Sequence, residues 1–370
     1  MNNIKNMYFN KNIGNLPSKL EINGINYILK ENLRYGTNPH QPANIYIPEN
    51  KNLVIGNYLV LKEGKNGLSQ TNIEDINYAA NILKYFDKPA CAVMKHLNPS
   101  GVAILNNSTL SLKNIYIRAR DCDKQAAFGS TVVFNTIIDS ETAYEIMQTV
   151  VENVAAPKIT QEALDIFNDF SKFKRNKNIR ILQIGDITLL PKYIDDENYT
   201  LQIKTLIDGS IILETPYLTN IRDRNNLILP VIENKKGEII KINAIEDEDI
   251  IKDLIFAWYV CIGVRSNAVV IAKNGVTLAI GTGEQDRVGA VEQAIIKAKK
   301  KFKGNEILKD SVIASDGFFP FIDSIELIAE EGIRGIIQPG GSINDEDIIS
   351  ECNKYKILMY FTGERCFSHH

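Results

Sequence analysis

Ala90-Cys91-Ala92-Val93-Met94-Lys95-His96-Leu97-Asn98-Pro99-Ser100-Gly101 opens as a short apolar run and turns abruptly polar. Lys88-Pro89 stands before it, so Ala90 to Met94 reads as a buried strand bounded by breakers. Lys95 to Gly101 then reads as a Pro/Gly-bounded loop at the strand's end. Upstream, Ile73, Ile76, Ala80, Leu83 and Phe86 recur every three or four residues and predict a helix over 72–85. Downstream, Thr131 to Phe134 predicts a second buried strand, followed by a helix over 141–154 with Asp139 or Ser140 as its cap. Strands that alternate with helices define an α/β class.

The same syntax returns in the second half. A helix is predicted over 246–264, then strands over 268–273 and 276–280 around Asn274-Gly275. Asn-Gly tolerates the positive φ angles of a two-residue type I′ turn, so this is a β-hairpin. Val288, Val291, Ile295, Ala298 and Phe302 mark the next helix. Strands over 312–314, 335–337 and 357–361 each open onto a polar loop. Met94-Lys95 to Gly101 and Ile337-Gln338 to Ser342 share that strand-then-loop form, which points to two similar halves. Residues 1–20 read as a loose arm, 22–30 as an edge strand, 160–177 as helical, and 181–242 as mixed strands and loops. The charge run Arg222 to Asn226 reads as a solvated loop. Polar groups gather past the C-terminal ends of strands, where open α/β sheets bind ligands.

Composition limits the function classes. A chain of 370 residues accommodates two domains. A net charge of −3 supplies no strong basic field, which argues against nucleic acid as main partner. Five cysteines, an odd count without C-x-x-C, argue against a disulfide framework or a four-cysteine zinc site and fit a reducing, cytoplasmic setting. The first fifteen residues lack the apolar core of a secretory signal. The longest apolar run, Leu254 to Val264, is about half a membrane span.

Of the four histidines, His96 is the candidate base, with Lys95 beside it to stabilise developing negative charge. A neighbouring ammonium also favours the neutral imidazole. Arg34-Tyr35-Gly36 offers a guanidinium suited to a phosphate or carboxylate, or simply a surface turn. Arg365 has the same two readings. Phe318-Phe319-Pro320-Phe321 walls a pocket for a flat heterocycle or belongs to the core. Asp323 closes that cluster or caps the following helix. Gly281-Thr282-Gly283 and Gly340-Gly341-Ser342 are weak anion-nest candidates. The sequence contains no P-loop, no G-x-G-x-x-G fingerprint, no zinc-deaminase signature and no serine nucleophile elbow.

Nine blocks in order resemble the aminoimidazole-carboxamide ribonucleotide (AICAR) transformylase part of the bifunctional purine-biosynthesis family. They include Leu33 to Gly36 with Asn38 to Gln41, Lys95-His96 with Asn98-Pro99, Ala127-Phe128-Gly129, and Ser266-Asn267-Ala268. Later ones include Arg287-Val288, Ser315-Asp316 with Phe318 to Phe321 and Asp323, Gln338 to Ile343, and Phe361-Thr362-Gly363 with Arg365. The resemblance implies two similar cytidine-deaminase-like α/β halves without zinc, expected at 21–195 and 196–370 behind an arm at 1–20. It implies formyl transfer from 10-formyltetrahydrofolate to the 5-amino group of AICAR. Lys95, His96 and Asp323 are then catalytic. Arg34, Tyr35, Gly36, Asn267, Phe318 and Arg365 bind AICAR, and Phe318, Pro320, Phe321 and Asp323 bind the folate. A homodimer with active sites at its interface is implied, and a structural monovalent cation (K+) near Asp316 and the C-terminus is allowed. The first block starts at Leu33, so the cyclohydrolase domain that opens bifunctional relatives is expected to be missing, with ring closure left to a separate IMP cyclohydrolase. The same formylation from formate plus ATP, or a non-catalytic AICAR-binding role, stay open as alternatives. Gly317, where alanine is common in relatives, Glu284 and Ile322 depart from the family pattern.

Overall fold

The computed structural model describes residues 7–49, 51–106, 110–302 and 307–369. They form two compact units, Met1–Thr188 and Leu189–His370. Among the described residues, no helix is long and apolar enough to cross a membrane.

In the first unit, β1 (Lys19–Ile22), β2 (Ile25–Asn32) and β3 (Asn44–Pro48) make a separate antiparallel meander. Next come β4 (Leu59–Lys62) and α1 (Gln70–Leu83). Ser69 starts α1 with a capping box: its hydroxyl accepts from the Asn72 N–H while the Asn72 side chain accepts from its own. Of the face predicted from spacing, Ile76, Ala80 and Leu83 are buried, Ile73 is half-buried and Phe86 lies past the helix end; Ala79, Ile82 and Asp75 are buried too. Then follow β5 (Ala90–Lys95), β6 (Asn98–Ile104), α2 (Leu112–Cys122), β7 (Ser130–Phe134), α3 (Ser140–Met147), β8 (Val151–Ala156), α4 (Gln161–Asn168) and β9 (Arg180–Gln183). The strands lie in the order β6-β5-β7-β8-β9-β4. β5 is antiparallel to both neighbours, and β7, β8 and β9 run parallel.

The second unit begins with two small hairpins, β10 (Gln202–Thr205) with β11 (Ile211–Glu214), and β12 (Val231–Glu233) with β13 (Ile239–Lys241). Then come α5 (Glu248–Cys261), β14 (Val269–Lys273), β15 (Val276–Gly281), α6 (Arg287–Lys301), β16 (Val312–Ser315), α7 (Asp323–Glu330), β17 (Gly335–Gln338), α8 (Asp345–Tyr355) and β18 (Leu358–Phe361). The order is β15-β14-β16-β17-β18, again antiparallel around β14 and parallel from β16 to β18.

The two units therefore repeat one plan: helix, hairpin, then three helix–strand steps. The repeat matches β5–β6 with β14–β15. It does not match the Lys95 loop with the Gln338 loop, because the latter follows a strand whose counterpart is β8. Both hairpins have two-residue turns, Lys95 pairing Asn98 and Lys273 pairing Val276. Asn274 and Gly275 take φ of 54° and 65°, as the Asn-Gly reading requires.

Other expectations shift. Asn98 to Gly101 is the start of β6 rather than loop, because pairing with β5 outweighs the turn-like composition. The helix expected over 141–154 stops at Met147, and Val151 onward is β8. Helix is confined to α4 and a 3-10 turn, Lys174–Asn176, within 160–177. The segment before β1 is anchored: the Asn12 N–H donates to the Arg34 carbonyl at 2.7 Å, and Tyr8 sits edge-on to Tyr35. The charge run is solvent-facing, with Arg222 paired to Asp195 and Arg224 to Glu246 and Glu248.

The cores of the two units are largely apolar. A Cβ on Gly101 would lie 2.0 Å from the Ala119 carbonyl oxygen of α2, so only glycine lets β6 and that helix approach so closely. All five cysteines are buried and none is in a disulfide.

Candidate active site

The β5–β6 turn presents Lys95 and His96. His96 and Leu97 occupy the left-handed region, with φ of 53° and 66°. Histidine enters it more often than most side-chain-bearing residues but leucine rarely does, and such strain concentrates at functional positions. The His96 ring is exposed, while Leu97 is half-buried. Lys95 Nζ donates to the Gly129 carbonyl at 2.7 Å and the Phe128 carbonyl at 3.3 Å. An ammonium has three donors, so this fixes its position and keeps one direction for a ligand. Gly129 itself has φ of 69°, and a Cβ there would sit 3.2 Å from Lys95 Nζ. This explains why the Ala127-Phe128-Gly129 block accompanies Lys95-His96.

Arg34 is 2% exposed. Its Nη1 donates to the Lys65 carbonyl at 3.0 Å and its Nη2 to the Tyr35 hydroxyl at 3.0 Å. A second guanidinium, Arg180, is fully buried and close enough to feel the Arg34 charge. Burial, then Arg34, pulls the Arg180 pKa down to about 10. Arg34 Nε and Arg180 Nη2 are buried without a partner. Two adjacent buried cations with unused donors suit an anion. Glu152, on β8, feels the charges of both Arg180 and Lys95. Burial pushes its carboxyl up, but Lys65, Arg180 and Lys95 together outweigh that and lower it. Lys65 is its ion-pair partner at 3.3 Å. Arg180 thus feels the Arg34 and Tyr35 charges, and Glu152 those of Arg180 and Lys95. Gly36 is packed tightly: its N–H donates to the Gln41 carbonyl at 2.7 Å, and a Cβ would meet Gln70 Oε1 at 3.3 Å.

In the second unit Asn267 follows a cis peptide bond after Ser266. Its Nδ2 donates to the Glu284 carbonyl at 2.9 Å, and its Oδ1 accepts from Arg287 Nη2 at 2.6 Å. Arg287 Nη1 reaches the Ala268 carbonyl at 3.1 Å and pairs with the buried Asp316 carboxylate, which also accepts from Ser266. Asn267 is therefore clamped from both ends of its amide. A Cβ on Gly317 would lie 2.5 Å from Arg287 Nη2, so alanine here would shift that clamp.

The aromatic cluster divides. Phe319 is fully buried, its N–H donating to Gln338 Oε1 at 3.0 Å, whereas Phe318 and Phe321 are exposed. Phe319 belongs to the core, while Phe318 and Phe321 remain candidates for a wall. The Pro320 carbonyl accepts from Asn344 Nδ2 at 2.6 Å. Phe321 borders a groove of about 430 Å³ with Ile322, Asn344 and Asp347. Ile322, not Asp323, holds the cap position of α7. Asp323 is exposed in the first turn, its Oδ1 accepting from the Ser324 N–H at 2.7 Å. Arg365 is exposed and lies over the Phe367 ring at 4.7 Å. Among the described residues, no three His, Cys, Asp or Glu side chains gather to hold a metal.

The sequence reading passed over Asp75, Thr131, Glu152, Asn153, Arg180 and the clamping role of Arg287. The one local signal was polar residues inside apolar strands, as in Val151-Glu152-Asn153-Val154.

The first unit holds a Lys-His turn in the left-handed region and buried guanidinium groups with unused donors. The AICARFT/IMPCHase bienzyme family model matches residues 2–297, and the chain belongs to that family. It is similar to the bifunctional purine biosynthesis protein PurH of Caldicellulosiruptor bescii, 37% identical over 348 residues, which is 92% of this chain and 60% of that protein. The PurH proteins of Petrotoga mobilis (36% identical, 98% and 63% covered) and Aquifex aeolicus (38%, 92% and 59%) are similar as well. The chain spans about 60% of the length of these relatives.

Proposed function

We propose that the protein transfers the formyl group of 10-formyltetrahydrofolate to the 5-amino group of AICAR. The observation that carries this is the strained hairpin tip, which holds an imidazole next to an ammonium fixed on the Phe128 and Gly129 carbonyls. The amine of AICAR is a poor nucleophile because its lone pair delocalises into the imidazole and carboxamide. It attacks the formyl carbon, forming a C–N bond and an oxyanion. His96 takes the amine proton as the attack proceeds. Lys95 stabilises the oxyanion through its remaining N–H. The C–N10 bond then breaks, N10 receives the proton, and formyl-AICAR and tetrahydrofolate leave.

Arg34, Tyr35 and Gly36 take the nucleotide end in this reading, with Arg180 reinforcing the phosphate charge complement. Asn267 and Arg365 also contact AICAR. Phe318, Pro320 and Phe321 flank the pterin, and Asp323, exposed in the first turn of α7, faces the folate. The two repeated units are cytidine-deaminase-like halves, a reading supported by the element order they share from α1 and from α5 onward. A monovalent cation near Asp316 carries no step, since that carboxylate already accepts from Arg287 and Ser266. A second copy of the chain completes the site, supported by the apolar β10–β11 hairpin, where Ile203, Ile207, Ile211 and Leu213 are exposed. The setting is the cytoplasm.

The purified protein mixed with AICAR and 10-formyltetrahydrofolate should release tetrahydrofolate, read as a rise in absorbance. Formate plus ATP in place of the folate should give nothing. Turnover with formate and ATP alone would assign a different donor, and no turnover in either mixture would remove the enzymatic reading.

A further inference from the structure

The two repeated units contain the same hairpin device with one difference. In the second unit Asp253, on α5, accepts from the Asn274 N–H at 2.6 Å and the Gly275 N–H at 2.8 Å. In the first, Asp75, at the same place on α1, accepts from the Leu97 N–H through Oδ1 at 2.8 Å. Donor and acceptor are 22 residues apart at Asp75–Leu97 and again at Asp253–Gly275. Each carboxylate ties a helix to the left-handed turn of the hairpin that follows. Asn-Gly needs that help least, since both residues tolerate positive φ. His96-Leu97 needs it most.

Behind Asp75 lies a buried polar row. Thr131 Oγ1 donates to Asp75 Oδ2 at 3.0 Å, Asn153 Nδ2 donates to Thr131 Oγ1 at 2.9 Å, and Arg180 Nη1 donates to Asn153 Oδ1 at 3.2 Å. Each hydrogen bond points toward the carboxylate, and Thr131, Asn153 and Arg180 are at most 1% exposed. The row runs across β7, β8 and β9 in register, Thr131 beside Asn153 and Asn153 beside Arg180. Met94 faces Thr131, just as Ala272 faces Val312 in the other unit. There the corresponding row is Val312, Gly335 and Leu358, wholly apolar. Burying a polar row costs free energy that an apolar one does not. The first unit retains it only where the turn carries Lys95 and His96.

We infer that Asp75, held by Thr131, Asn153 and Arg180, is the positioning residue that keeps the Lys95-His96 turn in its working conformation. This rests on the reading that Lys95 and His96 perform the formyl transfer. Asp75 touches neither reacting group, and its effect passes through the Leu97 N–H. Burial raises its carboxyl pKa, opposed by the bonds from Leu97 and Thr131 and by the His96 and Lys95 charges.

The test is steady-state kinetics on the full chain with AICAR and 10-formyltetrahydrofolate, alongside thermal unfolding. Asp75→Ala is expected to lower kcat by about 10- to 100-fold, the scale of a misplaced catalytic group, with KM for AICAR nearly unchanged. Asp75→Asn keeps an acceptor for the Leu97 N–H and should recover most of that loss. Thr131→Val, which copies the second unit, should fall between them. Asp253→Ala is the internal control: it should lower the Tm and leave kcat at the wild-type value. The inference is overturned if folded Asp75→Ala retains wild-type kcat, if Asp75→Asn is no better than alanine, or if Asp253→Ala lowers kcat as far. Should Asp75→Ala not fold, a wild-type kcat in Thr131→Val overturns it equally. His96→Ala measured beside them separates the two layers. If it is inactive while Asp75→Ala is fully active, only the positioning role falls. If it keeps full turnover, the chemistry assigned to the pair falls, and the positioning role with it.

Discussion

His96→Ala is expected to lower AICAR formylation by about a thousandfold, within the range for removing a general base. Lys95→Ala is expected to cost about 100- to 1,000-fold, the scale of one lost donor to an oxyanion. The two losses should not add, because both groups act on the same tetrahedral intermediate. Neither change should unfold the chain. The His96 ring is exposed. A sharper version uses His96→Gly. Glycine takes positive φ without the penalty of roughly 1 kcal/mol that an L side chain incurs. With φ of 53° at that position, the glycine variant should be at least as stable as wild type while being inactive. Thermal unfolding and turnover measured on one preparation check both halves. An active glycine variant, or one that melts well below wild type, would contradict the reading of this turn as strain retained for chemistry.

Arg287→Ala is expected to be the most destabilising single change near Asn267. It leaves the fully buried Asp316 carboxylate without its cation. Breaking a buried pair from one side costs about 3–5 kcal/mol, since the remaining charge stays desolvated. For a chain of this size that is a drop of the order of 10 °C in Tm. Binding suffers too, because Asn267 Oδ1 loses the donor that orients it. Replacing both partners, Arg287→Met with Asp316→Leu, should recover much of the stability and none of the activity, because an apolar pair removes the stranded charge without restoring the clamp. Scanning calorimetry on the single and double variants reads the first part, and AICAR titration the second. A single variant melting within a degree or two of wild type would mean that Asp316 finds water or another donor.

Much of this architecture is written locally in the chain. The alternation of helix and strand, the Asn274-Gly275 hairpin, the Asp139 cap and the Lys95-His96 pair follow from period, turn chemistry and residue type. β6 is not legible that way. Asn98-Pro99-Ser100-Gly101 has the composition of a loop and becomes a strand only through pairing with β5. β8 is hidden because Val151 and Val154 extend the apolar spacing of α3 beyond its real end. Asp75 is harder still, since a carboxylate in an amphipathic helix reads as part of the wet face. The row from Thr131 to Arg180 exists only in the register between strands far apart in sequence. The aromatic stretch Phe318 to Phe321 states its apolarity but not which rings turn inward. That is decided by Gln338, which fixes the Phe319 backbone from a neighbouring strand.

The burial of every cysteine turns the chain into its own unfolding reporter. Cys91 and Cys122 lie in one unit, and Cys261, Cys352 and Cys366 in the other. Thiols reach a reagent only as the reactive thiolate, and burial raises the Cys91, Cys352 and Cys366 pKa values. Alkylation of the native protein is then limited by opening of the surrounding structure, and mass mapping of the tagged peptides would time the breathing of each half without an added label.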